Sequence, residues 1–117
     1  MAEPWPTELG IDKDRRTLKA RFDDGKTFEL PAELLRVFSP SAELQGHSAD
    51  QRVTLPGKKS VAIARLEPVG NYAVRIIFDD GHDTGLYTWR YLRELGEERD
   101  ERWQAYLAEL AAKGLSR

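Results

Sequence analysis

The chain has no cysteine among its 117 residues. A disulfide-stapled scaffold is therefore excluded, and a single hydrophobic core has to stabilise the fold unaided. The same absence removes a thiolate nucleophile, a cysteine-ligated zinc site and an iron–sulfur cluster held by cysteines of this chain. At roughly 100 to 200 residues per domain, the length corresponds to one domain.

Long apolar runs and an excess of basic charge are also lacking. No segment approaches the roughly 20 apolar residues of a membrane span, and the first ten residues carry neither a cationic start nor an apolar run. Lys and Arg number 18 against 20 Asp and Glu, so the strongly basic balance of a general nucleic-acid binder is missing. We therefore expect a soluble, cytoplasmic protein with neither a membrane nor a nucleic acid as partner.

The strongest local pattern that is present is a near repeat. Phe22-Asp23-Asp24-Gly25 recurs as Phe78-Asp79-Asp80-Gly81, and a leucine–arginine pair follows each copy, at 35–36 and at 92–93. An Asp-Gly pair between two β-prone runs favours a hairpin turn, because glycine adopts a positive φ without a Cβ clash. The repeat predicts that 17–22 pairs with 26–30 and that 72–78 pairs with 82–87, as one supersecondary unit used twice.

The other segments complete an α+β prediction. Residues 60–67 are apolar enough for a central strand, and we expect one small antiparallel β-sheet built from the two hairpin–helix units. Short helices are predicted at 31–37, at 39–46 and from an N-cap at Thr88 to Gly96, followed by a C-terminal helix that ends at Gly114. Residues 46–59 are polar and predict a long loop.

The three tryptophans differ in setting. Trp89 and Trp103 fall on apolar helical stripes, which predicts that both lie in the core. Trp5 stands between two prolines, so it either packs back on the sheet or presents an exposed aromatic ring to a partner.

Residues suited to catalysis are few. His47 and His82 are the only histidines, and aspartates lie near both, which is the composition of a non-haem iron facial triad. Turn chemistry explains Asp79 and Asp80 better, and no spacing joins the two histidines. The serines lie in no Gly-x-Ser-x-Gly elbow, and Gly-Lys-Lys-Ser at 57–60 lacks the first glycine of a phosphate loop. The residues therefore predict no catalytic constellation.

Two segments together resemble a known family. Residues 34–47, from Leu-Leu-Arg-Val-Phe-Ser-Pro-Ser-Ala-Glu to Gly-His, and residues 67–92, from Glu-Pro-Val-Gly-Asn-Tyr to Thr-Trp-Arg-Tyr-Leu, are similar to the DUF971 domain. That domain is also called the gamma-butyrobetaine hydroxylase-like N-terminal domain. The resemblance covers about residues 5–95 and places the domain at 1–96, with 97–117 as a C-terminal helical tail of the same domain.

The resemblance implies an accessory role. Members of the family stand alone in bacteria, precede the oxygenase domain of 2-oxoglutarate- and iron-dependent hydroxylases, or are attached to iron–sulfur carrier ATPases. In none of these contexts does the domain supply the catalytic residues. The leading hypothesis is therefore a non-catalytic binding or adaptor domain, with a protein partner in iron–sulfur or oxygenase pathways. An enzyme of unknown type is the weakest of the alternatives.

The resemblance also implies a metal alternative. In the hydroxylases the domain holds zinc through a Cys-Pro-Cys-x-x-Cys run and one later histidine, which match 39–44 and His82 here. Ser39, Ser41 and Leu44 replace the thiolates, so zinc affinity should largely vanish and no cofactor is expected. The correspondence predicts a polar site of Ser39, Ser41 and His82. An alternative function is binding of iron or zinc by His82 with Asp83 or His47.

Overall fold

The computed structural model describes residues 5–40 and 54–117, and the chain folds there into a mixed α+β structure. Six strands and three helices follow one another in the described part: β1 (Pro6–Ile11), β2 (Thr17–Phe22), β3 (Thr27–Pro31), α1 (Ala32–Val37), β4 (Ile63–Val69), β5 (Ala73–Phe78), β6 (Gly85–Thr88), α2 (Trp89–Glu97) and α3 (Arg99–Ala112). The α+β prediction with a C-terminal helix is confirmed.

The strands form two antiparallel sheets of three strands, in the orders β1-β2-β3 and β4-β5-β6. The prediction of one sheet was wrong, and so was a central position for β4, which is an edge strand. The turn between β1 and β2 contacts the start of the free edge of β4. Ile63 N–H donates to the carbonyl oxygen of Arg15 over 2.7 Å, and Arg15 Nη1 donates to the carbonyl oxygen of Ala64 over 2.7 Å. These contacts cover the first two residues of an edge that would otherwise be open to pairing.

Strand β1 was missing from the sequence prediction. It contains a proline and a glycine, which weaken the strand signal but are tolerated at a sheet edge. Leu9 and Ile11 pack against the core, while Thr7, Glu8 and Gly10 are exposed. With β1, each hairpin becomes the last two strands of a three-stranded sheet that is followed by a helix.

Both predicted hairpins are present, and the two turns are built alike. Gly25 and Gly81 have φ values of 86° and 93°, as the Asp-Gly pattern requires. In each turn the glycine N–H donates to the carbonyl oxygen of the phenylalanine that begins the motif. The backbone N–H after the glycine donates over 3.1 Å to the second aspartate, Asp24 in one copy and Asp80 in the other.

The strand register shows how far the repeat extends. Leu18 pairs with Leu30 in the first sheet as Val74 pairs with Tyr87 in the second. Likewise, the Ala20–Phe28 pair corresponds to the Ile76–Gly85 pair. We call β1-β2-β3-α1 the first unit and β4-β5-β6-α2 the second unit. The near repeat is therefore a βββα unit used twice, one strand longer than the sequence predicted.

The core lies among the two units and α3. All six residues of α1 are buried, and α3 adds Tyr106 and Leu110 to the same cluster. Trp89 and Trp103 are only partly buried and pack against this core rather than within it. Trp5 is 50% exposed, and its ring meets the Trp89 ring edge-to-face at 6.4 Å between centroids.

The helix boundaries follow local chemistry. The Thr88 side chain accepts a hydrogen bond from Tyr91 N–H over 3.1 Å, which confirms the predicted N-cap. Gly96 does not end α2, which continues to Glu97. A Cβ at Gly96 would lie 2.6 Å from Cγ of Phe28, so this glycine permits the close approach of the first sheet. The helix predicted at 39–46 lies, apart from Ser39 and Pro40, outside the described residues.

No helix within residues 5–40 and 54–117 combines the length and the apolar character needed to cross a bilayer.

Candidate functional site

A buried polar pair joins the end of α1 to the second hairpin. Ser39 Oγ lies 2.9 Å from His82 Nε2 in hydrogen-bonding contact. Ser39 is fully buried and His82 is 8% exposed. Residues 43 positions apart are therefore brought together, and they are two of the three residues of the polar site that the family resemblance predicts.

Of the other residues of the predicted sites, the structure describes Asp83. Asp83 follows His82 but is exposed, and its charge acts on Arg75. Ser41 and His47 lie outside the described residues. Among the residues that the structure describes, no group of three or more His, Asp or Glu side chains is arranged to hold a metal ion.

Asp80, in the turn before His82, is the centre of a charged cluster. Its Oδ2 accepts from Arg36 Nε over 2.8 Å and from Lys58 Nζ over 2.6 Å. Burial raises the pKa of Asp80, but hydrogen bonds from Lys58, the His82 backbone and Arg36 outweigh it and lower that pKa to about 2. The Asp80 carboxylate is therefore ionised and held by two cations at neutral pH.

The sequence interpretation missed this cluster. Asp80 was explained by turn chemistry alone, and nothing in the pattern joined it to Lys58. The usable signal was the leucine–arginine pair after each copy of the repeat, because Arg36 belongs to that pair.

The Arg36 guanidinium still has an unused hydrogen-bond donor. Arg36 Nη1 is buried with no hydrogen-bond partner within the described ranges.

Two tyrosines of the second unit satisfy carbonyl groups near the end of α1. The Tyr87 hydroxyl donates to the carbonyl oxygen of Leu35, and the Tyr91 hydroxyl donates to that of Phe38. The last carbonyls of a helix have no partner within the helix, and α1 has only six residues. The second unit therefore holds the segment that leads into Ser39.

The contact between the third strand of one unit and the helix of the other unit is built differently in the two halves of the fold. At one of these contacts the Phe28 side chain of β3 packs on Gly96 of α2. At the site the register position of Phe28 is taken by Gly85, and a Cβ on Gly85 would lie 2.5 Å from Ser39 Oγ. The small residue therefore leaves space beside β6 for the Ser39 hydroxyl.

A comparison with family models gives the identity of the fold. The model described as gamma-butyrobetaine hydroxylase-like, N-terminal, matches residues 9–93. The chain belongs to this family. The family resemblance predicted from residues 34–47 and 67–92 is thereby confirmed.

Solved structures support the same assignment. One solution NMR structure is 46% identical with a TM-score of 0.86, covering 99% of this chain and 91% of the other. A second is 48% identical with a TM-score of 0.84, covering 97% and 85%. A crystal structure of a DUF971 protein of unknown function from Acidithiobacillus ferrooxidans is 38% identical with a TM-score of 0.64, covering 78% and 91%. No functionally curated protein matches the chain.

Proposed function

We propose that this protein is a non-catalytic accessory or adaptor domain that binds a protein of the iron–sulfur cluster or 2-oxoglutarate oxygenase pathways. The family supplies the context, because its members accompany such proteins. The chain works in the cytoplasm under this proposal, with neither a membrane nor a nucleic acid as partner.

The observation that carries the proposal is an aromatic surface, formed by the exposed Trp5 and Tyr72 together with the partly buried Trp89. Trp5 is 50% exposed and Tyr72 is 56% exposed. Trp89 connects them, since its ring contacts that of Trp5 and its backbone N–H donates to the carbonyl oxygen of Tyr72 over 3.1 Å. Large aromatic residues are enriched at protein interfaces, and Trp and Tyr are frequent among the few residues that dominate the binding energy.

The aromatic surface is held in place before any partner binds. Trp89 Nε1 donates to the carbonyl oxygen of Asn71 over 2.7 Å, which fixes the orientation of the indole. The Tyr72 ring lies against Gly70. A Cβ added to Gly70 would be 3.1 Å from two atoms of the Tyr72 ring. A preformed surface loses less side-chain entropy on binding, which favours affinity.

The described polar groups near His82 fit a structural role better than a catalytic one. The Ser39 hydroxyl is engaged with His82, and Asp80 is neutralised by Arg36 and Lys58. A general base or nucleophile needs a reactive atom that a substrate can approach, whereas Ser39 is fully buried. These contacts hold the end of α1 on the second unit.

Affinity capture from the source cell tests the proposal. The wild-type chain is compared with a Trp5→Ala/Tyr72→Ala double variant and with Leu86→Ala, which removes an exposed apolar side chain of β6 outside the aromatic surface. Wild type and Leu86→Ala should retain an iron–sulfur assembly protein or an oxygenase, and the double variant should lose it. Equal recovery by all three chains would contradict a role for the aromatic surface.

Metal binding is the alternative proposal, and the distance between Ser39 and His82 supports it. Ser39 stands at the first thiolate position of the zinc run and lies 2.9 Å from His82, which stands at the histidine position. The ligands would be His82 with Asp83 or His47, and the ion iron or zinc. Oxygen and imidazole ligands without thiolate suit iron better than structural zinc. Metal content of the purified protein separates the two proposals.

A further inference from the structure

Glu33 is a buried carboxylate of α1 whose charge is met from the far end of the chain. Its side chain is only 7% exposed. Arg117 donates from Nε to Oε2 over 3.0 Å and from Nη2 to Oε1 over 2.7 Å, across 84 positions of sequence. Two parallel hydrogen bonds of this kind are the geometry by which a guanidinium recognises a carboxylate.

An aromatic ring completes the setting of this arginine. The Arg117 guanidinium carbon lies 5.2 Å from the centroid of the Trp103 ring, within the range of a cation–π contact. Trp103 also lines a small cavity of about 100 Å³, together with Pro31, Leu34, Arg99 and Asp100. The carboxylate and the indole thus recognise an arginine by charge, by shape and by stacking, with a cavity beside them.

The segment that carries the occupant lies outside the regular secondary structure. Residues 115–117 belong to no helix or strand, and the Arg117 side chain is 42% exposed. Apart from the contacts of the arginine side chain, two backbone hydrogen bonds hold the segment: Leu115 N–H donates to the carbonyl oxygen of Leu110 over 2.8 Å, and the carbonyl oxygen of Ser116 accepts from Gly57 N–H over 3.0 Å. The two hydrogen bonds to Glu33, the stacking on Trp103 and the neighbouring cavity would serve an arginine from any chain equally well. The recognition is of a side chain and not of a position.

We propose that Glu33 and Trp103 form an arginine-receiving site, which Arg117 occupies in the free protein and which an arginine from an extended segment of a partner protein takes when the tail is displaced. The inference rests on the proposed adaptor function and names one contact of it. A buried carboxylate without a partner is strongly unfavourable, so the exchange replaces one arginine by another. The tail therefore acts as a competitor that sets a threshold for partner binding.

A peptide titration tests the site directly. The full-length Arg117→Ala variant is titrated with acetyl-Leu-Ser-Arg, the sequence of the natural occupant, while the Trp103 indole resonance is followed by NMR. We expect saturable shifts with half-saturation below about millimolar peptide, because a tethered arginine occupies the site only if its affinity lies below its effective concentration, which is about millimolar for a short tether. The peptide with citrulline in place of arginine should give no shift, and the peptide with lysine a weaker one.

The control is the Glu33→Gln/Arg117→Ala variant, which lacks the buried charge and should not respond to any of the peptides. Absence of a shift with Arg117→Ala, or equal shifts in the two variants, overturns the proposal. Should Arg117→Ala fail to fold, Arg117→Lys retains a cation at Glu33 and serves in its place, with the arginine peptide displacing the lysine. Because this titration involves no cellular partner, its failure leaves the capture experiment unaffected.

Discussion

Arg93 of the second unit donates from Nη1 and Nη2 to both carboxylate oxygens of Asp24, in the hairpin turn of the first unit, over 3.2 and 2.7 Å. The contact is reciprocated, since Arg36 of the first unit binds Asp80 in the hairpin turn of the second. The second aspartate of each Phe-Asp-Asp-Gly motif thus pairs with the arginine that follows the other motif. The repeat encodes the contact between the two units as well as the turns.

Acid should weaken this contact. Hydrogen bonds from Arg93 and the Lys26 backbone lower the pKa of Asp24 from 3.8 to about 2. The pKa of Asp80 is also lowered to about 2. A carboxyl with a depressed folded pKa contributes stability above its unfolded pKa and loses it as pH falls. We expect the free energy of unfolding, measured with urea, to decrease as pH falls from about 4 to 2.

The matched variant for the acid experiment is Asp24→Asn/Asp80→Asn. It should be less stable than wild type at pH 7, with a flatter dependence on pH between about 4 and 2, because the amides do not titrate. An unchanged slope in the double variant would show that other carboxyl groups cause the acid sensitivity.

Adding one methyl group at Gly85 should disturb the Ser39–His82 pair. A Cβ there would meet Ser39 Oγ at 2.5 Å and the Tyr87 ring at 2.9 Å. We expect Gly85→Ala to cost about 1 to 3 kcal/mol in urea unfolding, the usual effect of overpacking a core. Gly10→Ala is the control, because nothing lies within 4 Å of its added Cβ, and it should change stability by less than about 0.5 kcal/mol.

The tyrosine contacts to the end of α1 can be tested by removing single hydroxyl groups. Tyr87 is fully buried and donates to the Leu35 carbonyl, so Tyr87→Phe leaves that acceptor without its donor. We expect a loss of about 1 to 3 kcal/mol in the free energy of unfolding. Tyr72→Phe, at an exposed ring, should have no measurable effect. Equal effects of the two substitutions would argue against the assigned role of Tyr87.

Restoring the thiolates tests the family correspondence. The Ser39→Cys/Ser41→Cys/Leu44→Cys variant is expected to bind one zinc ion with His82 as the fourth ligand, since three thiolates and an imidazole make a structural zinc site. Adding His82→Ala to this variant should weaken zinc binding in a competitive chelator titration. Unchanged affinity would show that His82 is not at the ligand position.

The sequence predicted local structure better than assembly. The Asp-Gly turns and the Thr88 cap depend on neighbouring residues, so their patterns were sufficient. The separation of the strands into two sheets involves long-range contacts such as those of Arg15, whose backbone carbonyl and side chain bond the start of β4 about 50 positions away. No local sequence pattern predicts such a long-range contact. The proline and glycine of β1 weakened its strand signal, so the strand that completes the first sheet was not predicted.

For the site, the family resemblance accomplished what composition did not. It related residue 39 to residue 82, and the structure places these two side chains in contact. The charged cluster at Asp80 was missed because each of its members has an ordinary explanation when taken alone. Comparing the two halves of the repeat would have found Arg36, because an arginine preceded by leucine follows each motif at nearly the same spacing.

His82 lies in a buried contact with Ser39, and we propose that this contact is structural and that the protein works without a bound metal. The most direct measurement is elemental analysis of the protein purified without a histidine tag, for wild type and His82→Ala. The account predicts iron and zinc well below one equivalent per chain in both proteins. About one equivalent of either metal in wild type, lost in His82→Ala, would contradict it and establish the metal-binding alternative.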